Sequence, residues 1–100
     1  MASKKVPKGK NATLPRRNDC TKEFRKDWKS PQYAGTNLAS LKEAMTLLIT
    51  NEGPLGPEWA DHPLKGEWSS YRECHAGDDL LLIYRFADEE TVIFVRAGSP

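Results

Sequence analysis

The chain has 100 residues, enough for one domain with a single modest hydrophobic core. Hydrophobic residues make up 38% and charged residues 29%, a composition typical of a soluble globular protein. No apolar run approaches the roughly 20 residues of a membrane-spanning helix, and the N-terminal segment is not that of a signal peptide. We therefore expect a cytoplasmic protein that does not associate with a membrane.

The net charge of +1 conceals a strong asymmetry along the chain. Residues 1–35 hold ten Lys and Arg against three acidic residues, a net charge of +7, whereas residues 36–100 hold five basic and eleven acidic residues, a net charge of −6. A basic end on an acidic domain indicates a polyanion or an acidic partner at that end. We interpret residues 1–11 as a basic disordered tail and residues 12–100 as a single domain.

The two cysteines, Cys20 and Cys74, are far apart in the sequence and form no recognisable pattern. Reduced thiols in a cytoplasmic protein are the simpler interpretation. A metal site built from Cys74, His75 and His62 lacks the ligand-pair spacing of zinc motifs. We therefore predict no metal site and no cofactor.

The first predicted elements are a short strand within "ATLPRRND" and a basic helix within "CTKEFRKDWKS". Phe24 and Trp28 are four residues apart and therefore share one face of the helix. Asn18 or Asp19 is the candidate N-cap. The helix should end at Ser30, because the residue before a proline avoids helical geometry.

A second helix and three strands follow. Asn37 is the predicted cap of a helix that runs to about Thr50, with apolar residues at spacings of three and four: Leu38, Leu41, Met45 and Leu48. The segment "NEGPLGPEWADHP" is typical of a turn-rich connector. Strand signals then cover roughly Glu67–His75, Leu80–Phe86 and Thr91–Arg96, joined by short turns.

The order strand, helix, helix, strand, strand, strand predicts an α+β domain. The last three strands should form an antiparallel meander, because the turns between them are short. The stretch "LLLIY" is apolar at both alternating positions, so it should be the central strand of a small antiparallel sheet. The two helices can cover only one face of such a sheet, which leaves the other face partly open to polar residues.

Alternation along the first strand of the meander places Tyr71, Glu73 and His75 on one face and Arg72 on the other. Whether Arg96 shares the face of His75 depends on the lengths of the hairpin turns. A shift of one residue in the register moves every side chain of a strand to the opposite face.

Two registers are open. If both hairpin turns have two residues, Arg96 lies on the face opposite His75. If the first turn has three residues, 76–78, then Asp79 pairs with His75, and Arg96 lies opposite Leu81 on the same face as His75. We predict the second register on functional grounds, since periodicity alone does not separate the two.

Four segments carry a family resemblance: "LITNEGPL", "DHPLKGEWSSYRECH", "DDLLLIYRF" and "VIFVRAGS". From about Phe24 to Ser99 they resemble the YafQ branch of the RelE/ParE superfamily of bacterial toxins. The core pattern is D-H-x-L-x-G-x-W-x-x-Y-R, then an acid, one residue, a histidine and an apolar strand. The resemblance implies a compact α+β endoribonuclease of a type II toxin–antitoxin pair. Such a toxin cleaves messenger RNA in the ribosomal A site, and a cognate antitoxin holds it inactive in a complex such as a heterotetramer.

The resemblance also implies which residues form the site. His62, His75, Asp79 and Arg96 match the catalytic positions of the family, in the loop before the meander, around the first hairpin turn and on the last strand. The expected supporting residues are Glu73 and Tyr71, and the expected ribosome- and RNA-binding residues are Lys22, Arg25, Lys26, Lys29, Lys65 and Arg72.

These residue types suit RNA cleavage without a metal. A base must take the proton of the ribose 2′-OH, donors must stabilise charge on the phosphorane, and an acid must protonate the departing 5′-oxygen. Histidine, with an ordinary pKa of about 6.5, can serve in either proton transfer at neutral pH. An arginine guanidinium can hold two phosphate oxygens at once.

Each residue also has a purely structural explanation. His62 is in a loop and His75 at a strand end, where histidines are commonly exposed. Asp79 could stabilise a turn, and Arg96 could pair with an acid across the sheet. We take Trp68 as a core residue.

One departure from the family pattern concerns the C-terminal segment. In the family a histidine commonly follows R-x-G and a Thr or Ser, and a short tail with an aromatic residue comes after it. This sequence reads "RAGSP" up to Pro100, which leaves open a truncated chain, an altered chain or a weakened homologue. Three functions stay open: a ribosome-dependent endoribonuclease, a module that binds antitoxin and ribosome without cleaving, and an enzyme that cuts free RNA. The acidic balance disfavours the third.

Overall fold

The protein is a five-stranded mixed sheet with two helices packed on one of its faces. The computed structural model describes residues 14–29, 36–51, 55–77 and 80–98. The elements in chain order are β1 Arg17–Cys20, α1 Lys22–Trp28, α2 Thr36–Thr50, β2 His62–Pro63, β3 Tyr71–His75, β4 Leu81–Asp88 and β5 Thr91–Gly98. The strand order is β1-β5-β4-β3-β2. The predicted α+β class is confirmed, and the predicted tail at residues 1–11 lies outside the described residues.

Helix α1 is capped by Thr21, so the predicted caps Asn18 and Asp19 are wrong. The Thr21 hydroxyl accepts a hydrogen bond from the Phe24 amide at 3.0 Å, the usual N-cap contact. The two earlier residues cannot act as caps because β1 extends through both of them. Phe24 is buried, and its ring lies 5.7 Å from that of Phe94, centroid to centroid, which fixes α1 against β5.

Helix α2 supplies most of the remaining cover of the sheet. It begins at Thr36, so Asn37 lies inside the helix and the predicted cap there is wrong. It ends at Thr50, as predicted. Its periodic apolar face buries Leu41 and Leu48 in the core. Among the described residues, no helix is both long and apolar enough to span a membrane.

Strand β1 pairs in parallel with β5, so the sheet is mixed and not wholly antiparallel as predicted. The pairing ends where Cys20 lies opposite Phe94. The chain then turns into α1, and the Thr21 hydroxyl donates a hydrogen bond to the carbonyl of Val95 at 2.7 Å. Beyond this point the described part of the chain places no strand beside the outer edge of β5.

Strand β4 is the central strand, as the apolar stretch "LLLIY" predicted. Its side chains alternate between the two faces of the sheet. Leu82 and Tyr84 are buried on the face that the helices cover, whereas Leu81 and Ile83 are half-buried on the other face. The hydrophobic core therefore lies between the helices and one face of the sheet.

The hairpin between β3 and β4 pairs His75 with Leu81, so residues 76–80 connect the strands. The predicted pairing of His75 with Asp79 is therefore wrong, and Asp79 itself lies outside the described residues. The predicted connection had three residues and the observed one has five. Because both numbers are odd, the side chains of β4 lie on the same faces as predicted.

The hairpin between β4 and β5 contains two irregularities that cancel each other. Ala87 and Val95 have no partner in the register, one on each strand. After both shifts Arg96 lies opposite Ile83, not opposite Leu81 as predicted. Because the difference is two residues, Arg96 still lies on the same face as His75, as the sequence analysis predicted.

Trp68 is 55% exposed, so the prediction that it lies in the core is wrong. Strand β3 begins only at Tyr71, four residues later than the predicted start at Glu67. The residues before it form a 3₁₀ turn that starts at Gly66, whose φ of +67° suits glycine. The buried tryptophan is instead Trp59, which is 9% exposed.

Candidate active site on the open face of the sheet

The face of the sheet turned away from α1 and α2 carries three of the four predicted catalytic residues. His62 lies opposite Glu73 on the neighbouring strand, and His75 follows two residues later on the same face. Glu73 lies opposite Ile83, which in turn lies opposite Arg96. We call this surface the open face, and its residues in the register are His62, Tyr71, Glu73, His75, Leu81, Ile83, Arg85, Ile93 and Arg96.

His62 is held beside a carboxylate. Its Nε2 lies 3.3 Å from Oε1 of Glu73, and its Nδ1 lies 3.1 Å from the carbonyl oxygen of Pro63. Both neighbours accept hydrogen bonds, so a proton on either ring nitrogen has a partner. The His62 side chain is 51% exposed and that of Glu73 is 20% exposed, so the imidazole can reach a ligand while the carboxylate beside it is mostly shielded.

His75 stands at the end of β3 and is exposed. It borders a cleft of about 390 Å³, whose other lining residues are Ser40, Glu58, Trp59, Ala60 and Gly77. Neighbouring strands are about 4.8 Å apart, so Arg96, two strands away, lies roughly 10 Å from the row of Glu73 and His75. His62, on β2, is one strand farther from Arg96 than Glu73 and His75 are.

Arg96 is paired with Asp27 of α1, a contact that was not predicted from the sequence. Its Nε donates to Oδ2 of Asp27 at 2.9 Å and its Nη2 donates to Oδ1 at 3.2 Å. The amide of Ala97 donates to the same carboxylate at 2.9 Å, at the edge of β5 that β1 leaves uncovered. The Arg96 side chain remains 56% exposed.

The basic residues of α1 form an exposed group. Lys22, Arg25, Lys26 and Lys29 are all exposed, as a surface that binds RNA requires. Arg25 also donates a hydrogen bond from Nε to the sulfur of Cys20 at 3.3 Å, and this bond raises the pKa of the guanidinium. Lys65, the fifth predicted RNA contact, is exposed in the segment between β2 and β3.

Arg72 is placed away from the open face. It lies on the side of the sheet that the helices cover, where Nη2 donates to Oδ2 of Asp61 at 3.1 Å. Tyr84 also donates a short hydrogen bond to Asp61. The hydrogen bond with Asp61 raises the pKa of Arg72, so the guanidinium remains charged. Arg72 is therefore not brought together with His62 and His75, and Asp61 is a partner that sequence reasoning missed.

The described residues hold no group of three or more His, Cys, Asp and Glu side chains arranged to bind a metal ion. Cys74 is fully buried, and burial raises the pKa of its thiol to about 12. A thiol that stays protonated is a poor metal ligand and a poor nucleophile. Cys74 therefore has a packing role in the core.

Comparison with known proteins identifies the family. A family model described as "Bacterial toxin of type II toxin-antitoxin system, YafQ" matches residues 16–100. The chain belongs to the YafQ family of bacterial toxins. The resemblance stated from the sequence is therefore confirmed, and with it the toxin class of this protein.

Relatives of this YafQ-family toxin are similar along most of their length. The mRNA interferase toxin YafQ of Escherichia coli is 40% identical over 77 residues, which cover 77% of this chain and 83% of that toxin. A crystal structure of YafQ from E. coli matches with a TM-score of 0.74 and 37% identity, over 84% of this chain and 92% of that one. The crystal structure of the E. coli DinJ-YafQ toxin-antitoxin complex matches with a TM-score of 0.75 and 36% identity, over 86% of this chain and 93% of the matched chain.

Proposed function

We propose that this YafQ-family toxin is an endoribonuclease that cleaves messenger RNA in the ribosomal A site. The observation that supports the proposal is that His62, His75 and Arg96 lie on the same face of the sheet. The relatives named mRNA interferase support the reaction class. A function on the ribosome places the protein in the cytoplasm.

The reaction begins with the ribose 2′-OH upstream of the scissile phosphate. We assign the base to His62. Its Nε2–H donates to the carboxylate of Glu73, Nδ1 turns from the carbonyl of Pro63 to take the 2′-OH proton, and the carboxylate stabilises the imidazolium that forms. The 2′-oxygen then bonds to phosphorus, and the bond from phosphorus to the 5′-oxygen breaks. The products are a 2′,3′-cyclic phosphate and a 5′-hydroxyl.

The departing 5′-oxygen needs a proton, which we assign to His75. This residue is exposed at the end of β3 and lies on the same face as the base. Arg96 stabilises the charge on the phosphorane by presenting its guanidinium to the non-bridging oxygens. Asp79, which lies outside the described residues, keeps its predicted catalytic role as part of this proposal.

The basic surface of α1 provides the affinity for the ribosome. Lys22, Arg25, Lys26 and Lys29 carry positive charge on an otherwise acidic domain, which suits contacts with ribosomal RNA phosphates. Lys65 extends the positive charge towards the messenger.

An antitoxin is the second partner in the proposal. The E. coli relative forms a toxin-antitoxin complex with DinJ. We infer that this chain is held inactive by its own cognate antitoxin, and that an acidic segment of the antitoxin competes with ribosomal RNA for α1. Co-purification of this chain with the product of an adjacent gene tests the partnership directly.

The catalytic proposal is tested by single-turnover cleavage of messenger on programmed ribosomes. His62→Gln and His75→Gln should each slow cleavage about 10²–10⁴-fold, the usual contribution of a positioned acid or base. Glu43→Gln, an exposed change on α2, is the matched control and should leave the rate unchanged. Full activity in both histidine variants would overturn the assignment. Ribosome binding with no cleavage in the parent chain would favour a module that binds without cleaving.

A further inference from the structure

A polar cluster lies beneath the candidate site, on the side of the sheet that the helices cover. The carboxylate of Asp61 accepts hydrogen bonds from Nη2 of Arg72 at 3.1 Å, from Nε of Arg72 at 3.3 Å and from the hydroxyl of Tyr84. The Asp61 side chain is only 13% exposed. We call Asp61, Arg72 and Tyr84 the anchor cluster.

The anchor cluster is adjacent to His62 in the chain but on the other side of the sheet. Asp61 immediately precedes His62, the first residue of the two-residue strand β2. Consecutive residues of an extended chain point to opposite faces. The carboxylate of Asp61 is therefore held on the covered side of the sheet. The imidazole of the next residue, His62, lies on the open face beside Glu73.

Strand β2 is joined to the sheet on one side only, by its pairing with β3. It is only two residues long and lies at the edge of the sheet. Pro63, its second residue, has no amide hydrogen to donate to β3. Backbone support comes from the amide of Leu64, which donates to the carbonyl of Tyr71 at 2.9 Å. A side-chain anchor is therefore needed to keep so short an edge strand in register.

The two donors of the anchor cluster, Arg72 and Tyr84, keep their protons at neutral pH. The hydrogen bond with Asp61 raises the pKa of Arg72, which therefore remains a cation. Burial and the hydrogen bond to Asp61 raise the pKa of Tyr84 well above its ordinary value, so its hydroxyl remains a donor at neutral pH. Asp61 thus has a donor on both β3 and β4, the two strands beneath the site.

We propose that Asp61, together with Arg72 and Tyr84, is a positioning site for His62. By tying the residue before His62 to β3 and β4, the anchor cluster keeps the imidazole over Glu73 and facing the messenger. The inference concerns the same site as the proposed function and rests on it for the role of His62. The placement of the imidazole itself does not depend on any assay of cleavage.

The first test is the ¹H–¹⁵N NMR spectrum of the histidine side chains in the isolated protein. The chain has two histidines, so His75 serves as an internal reference for His62. Asp61→Ala should shift and broaden the ring resonances of His62 and leave those of His75 unchanged. Tyr84→Phe, a milder change that removes one donor, should shift His62 in the same direction by a smaller amount. Asp61→Asn, which keeps an oxygen acceptor, should restore part of the parent spectrum.

The second test separates positioning from binding. Asp61→Ala should slow single-turnover messenger cleavage about 10²-fold, since a misplaced catalytic group costs that much, while ribosome affinity stays within the error of the parent value. Val92→Ala, a truncation in the buried core on β5, is the control for lost stability. It should leave the His62 resonances and the rate unchanged at a temperature where both variants are folded.

Two outcomes would overturn the inference. Unchanged His62 resonances in folded Asp61→Ala protein would mean that the anchor cluster does not place the imidazole. An equal shift of the His62 ring resonances in Val92→Ala would mean that the anchor cluster only stabilises the fold and does not specifically position the imidazole. If no variant or parent cleaves messenger, the proposed function fails, but the spectra still decide whether Asp61 positions His62.

Discussion

Asp27 and Arg96 join α1 to the last strand through two hydrogen bonds, at 2.9 Å and 3.2 Å, between carboxylate and guanidinium. The same carboxylate accepts the amide of Ala97, so one side chain closes the part of β5 that β1 does not cover. The pair also fixes the position of the Arg96 guanidinium beside α1. The Arg96 side chain is 56% exposed and lies at the rim of the open face, where we propose that it contacts a phosphate.

Replacing Asp27 with Asn should lower stability in a way that depends on pH. Burial alone would raise the pKa of this carboxyl, but the hydrogen bonds from Arg96 and Ala97 outweigh it and lower the pKa below the ordinary 3.8. The native protein then binds fewer protons than the unfolded chain in acid, so the stabilisation is present above pH 4 and is lost as pH falls through the folded pKa. Urea unfolding from pH 2.5 to 7 should give a difference of about 1–3 kcal/mol at neutral pH that shrinks in acid. If the difference in unfolding free energy between the parent and Asp27→Asn stayed constant from pH 2.5 to 7, the lowered pKa of Asp27 would be contradicted.

Arg96 should matter for cleavage through the shape of its guanidinium and not only through its charge. Arg96→Ala should slow single-turnover cleavage about 10²–10³-fold, the usual loss when a donor to a developing oxyanion is removed. Arg96→Lys should recover little of this, because an ammonium cannot make the paired contacts. Arg17→Ala is the matched control, since Arg17 is exposed on β1 and its side chain reaches Glu90 at 3.9 Å. Equal effects at both arginines would indicate a general electrostatic contribution.

The basic surface of α1 should control ribosome affinity. Reversing Lys22, Arg25 and Lys26 to Glu should weaken ribosome binding steeply, and raising the salt concentration should weaken binding of the parent in the same way. The triple change to Gln should give an intermediate affinity and a shallower dependence on salt. Filter binding at several salt concentrations measures both quantities. Parent-like affinity of the Glu variant at moderate salt would mean that another surface docks on the ribosome.

The two tryptophans near the site should differ sharply in their contribution to stability. Trp59→Ala removes a ring that is 9% exposed and should cost about 3–5 kcal/mol. Trp68→Ala removes a ring that is 55% exposed and contacts Tyr71 at its edge, so it should cost about 1 kcal/mol or less. Chemical denaturation of the two variants measures the difference. Similar losses would place Trp68 in the core after all.

The sequence was sufficient for features that depend on local periodicity. The apolar spacing of α2 and the central position of β4 follow from patterns within single elements, whereas the shared face of His75 and Arg96 was predicted on functional grounds, because periodicity left two registers open. The shared face was predicted correctly, although the first hairpin connection is longer than predicted and the second hairpin contains two irregularities. The first connection still has an odd number of residues and the two irregularities cancel, so the side chains stay on the predicted faces.

The missed features depend on contacts between distant residues. Asp27 and Arg96 are 69 positions apart, and no local pattern couples a helix carboxylate to a strand arginine. Arg72 was assigned to RNA binding, but its partner Asp61 is reached only when β2 folds beside β3. Asp61 did carry a signal, since it begins the D-H-x-L pattern that supported the family resemblance. The parallel pairing of β1 with β5 likewise joins opposite ends of the chain.

The final prediction concerns Pro100, which occupies the position where the family pattern has a histidine. If that histidine carries a proton in the reaction, the parent chain should bind ribosomes but cleave messenger weakly. Pro100→His should then raise the single-turnover rate by one or more orders of magnitude, the usual scale for restoring a positioned acid or base. Pro100→Gln, which adds a polar side chain that cannot carry a proton at neutral pH, is the control and should give no gain.

The double variant gives the sharper result. His75→Ala in the Pro100→His background should remove most of the gain, because groups that act in one reaction do not contribute independently. If the gain survives the loss of His75, the new histidine acts on its own, and the two side chains do not share the proton transfers. Strong cleavage by the parent, unchanged by Pro100→His, would mean that His62, His75, Asp79 and Arg96 are sufficient and that position 100 has no catalytic role in this toxin.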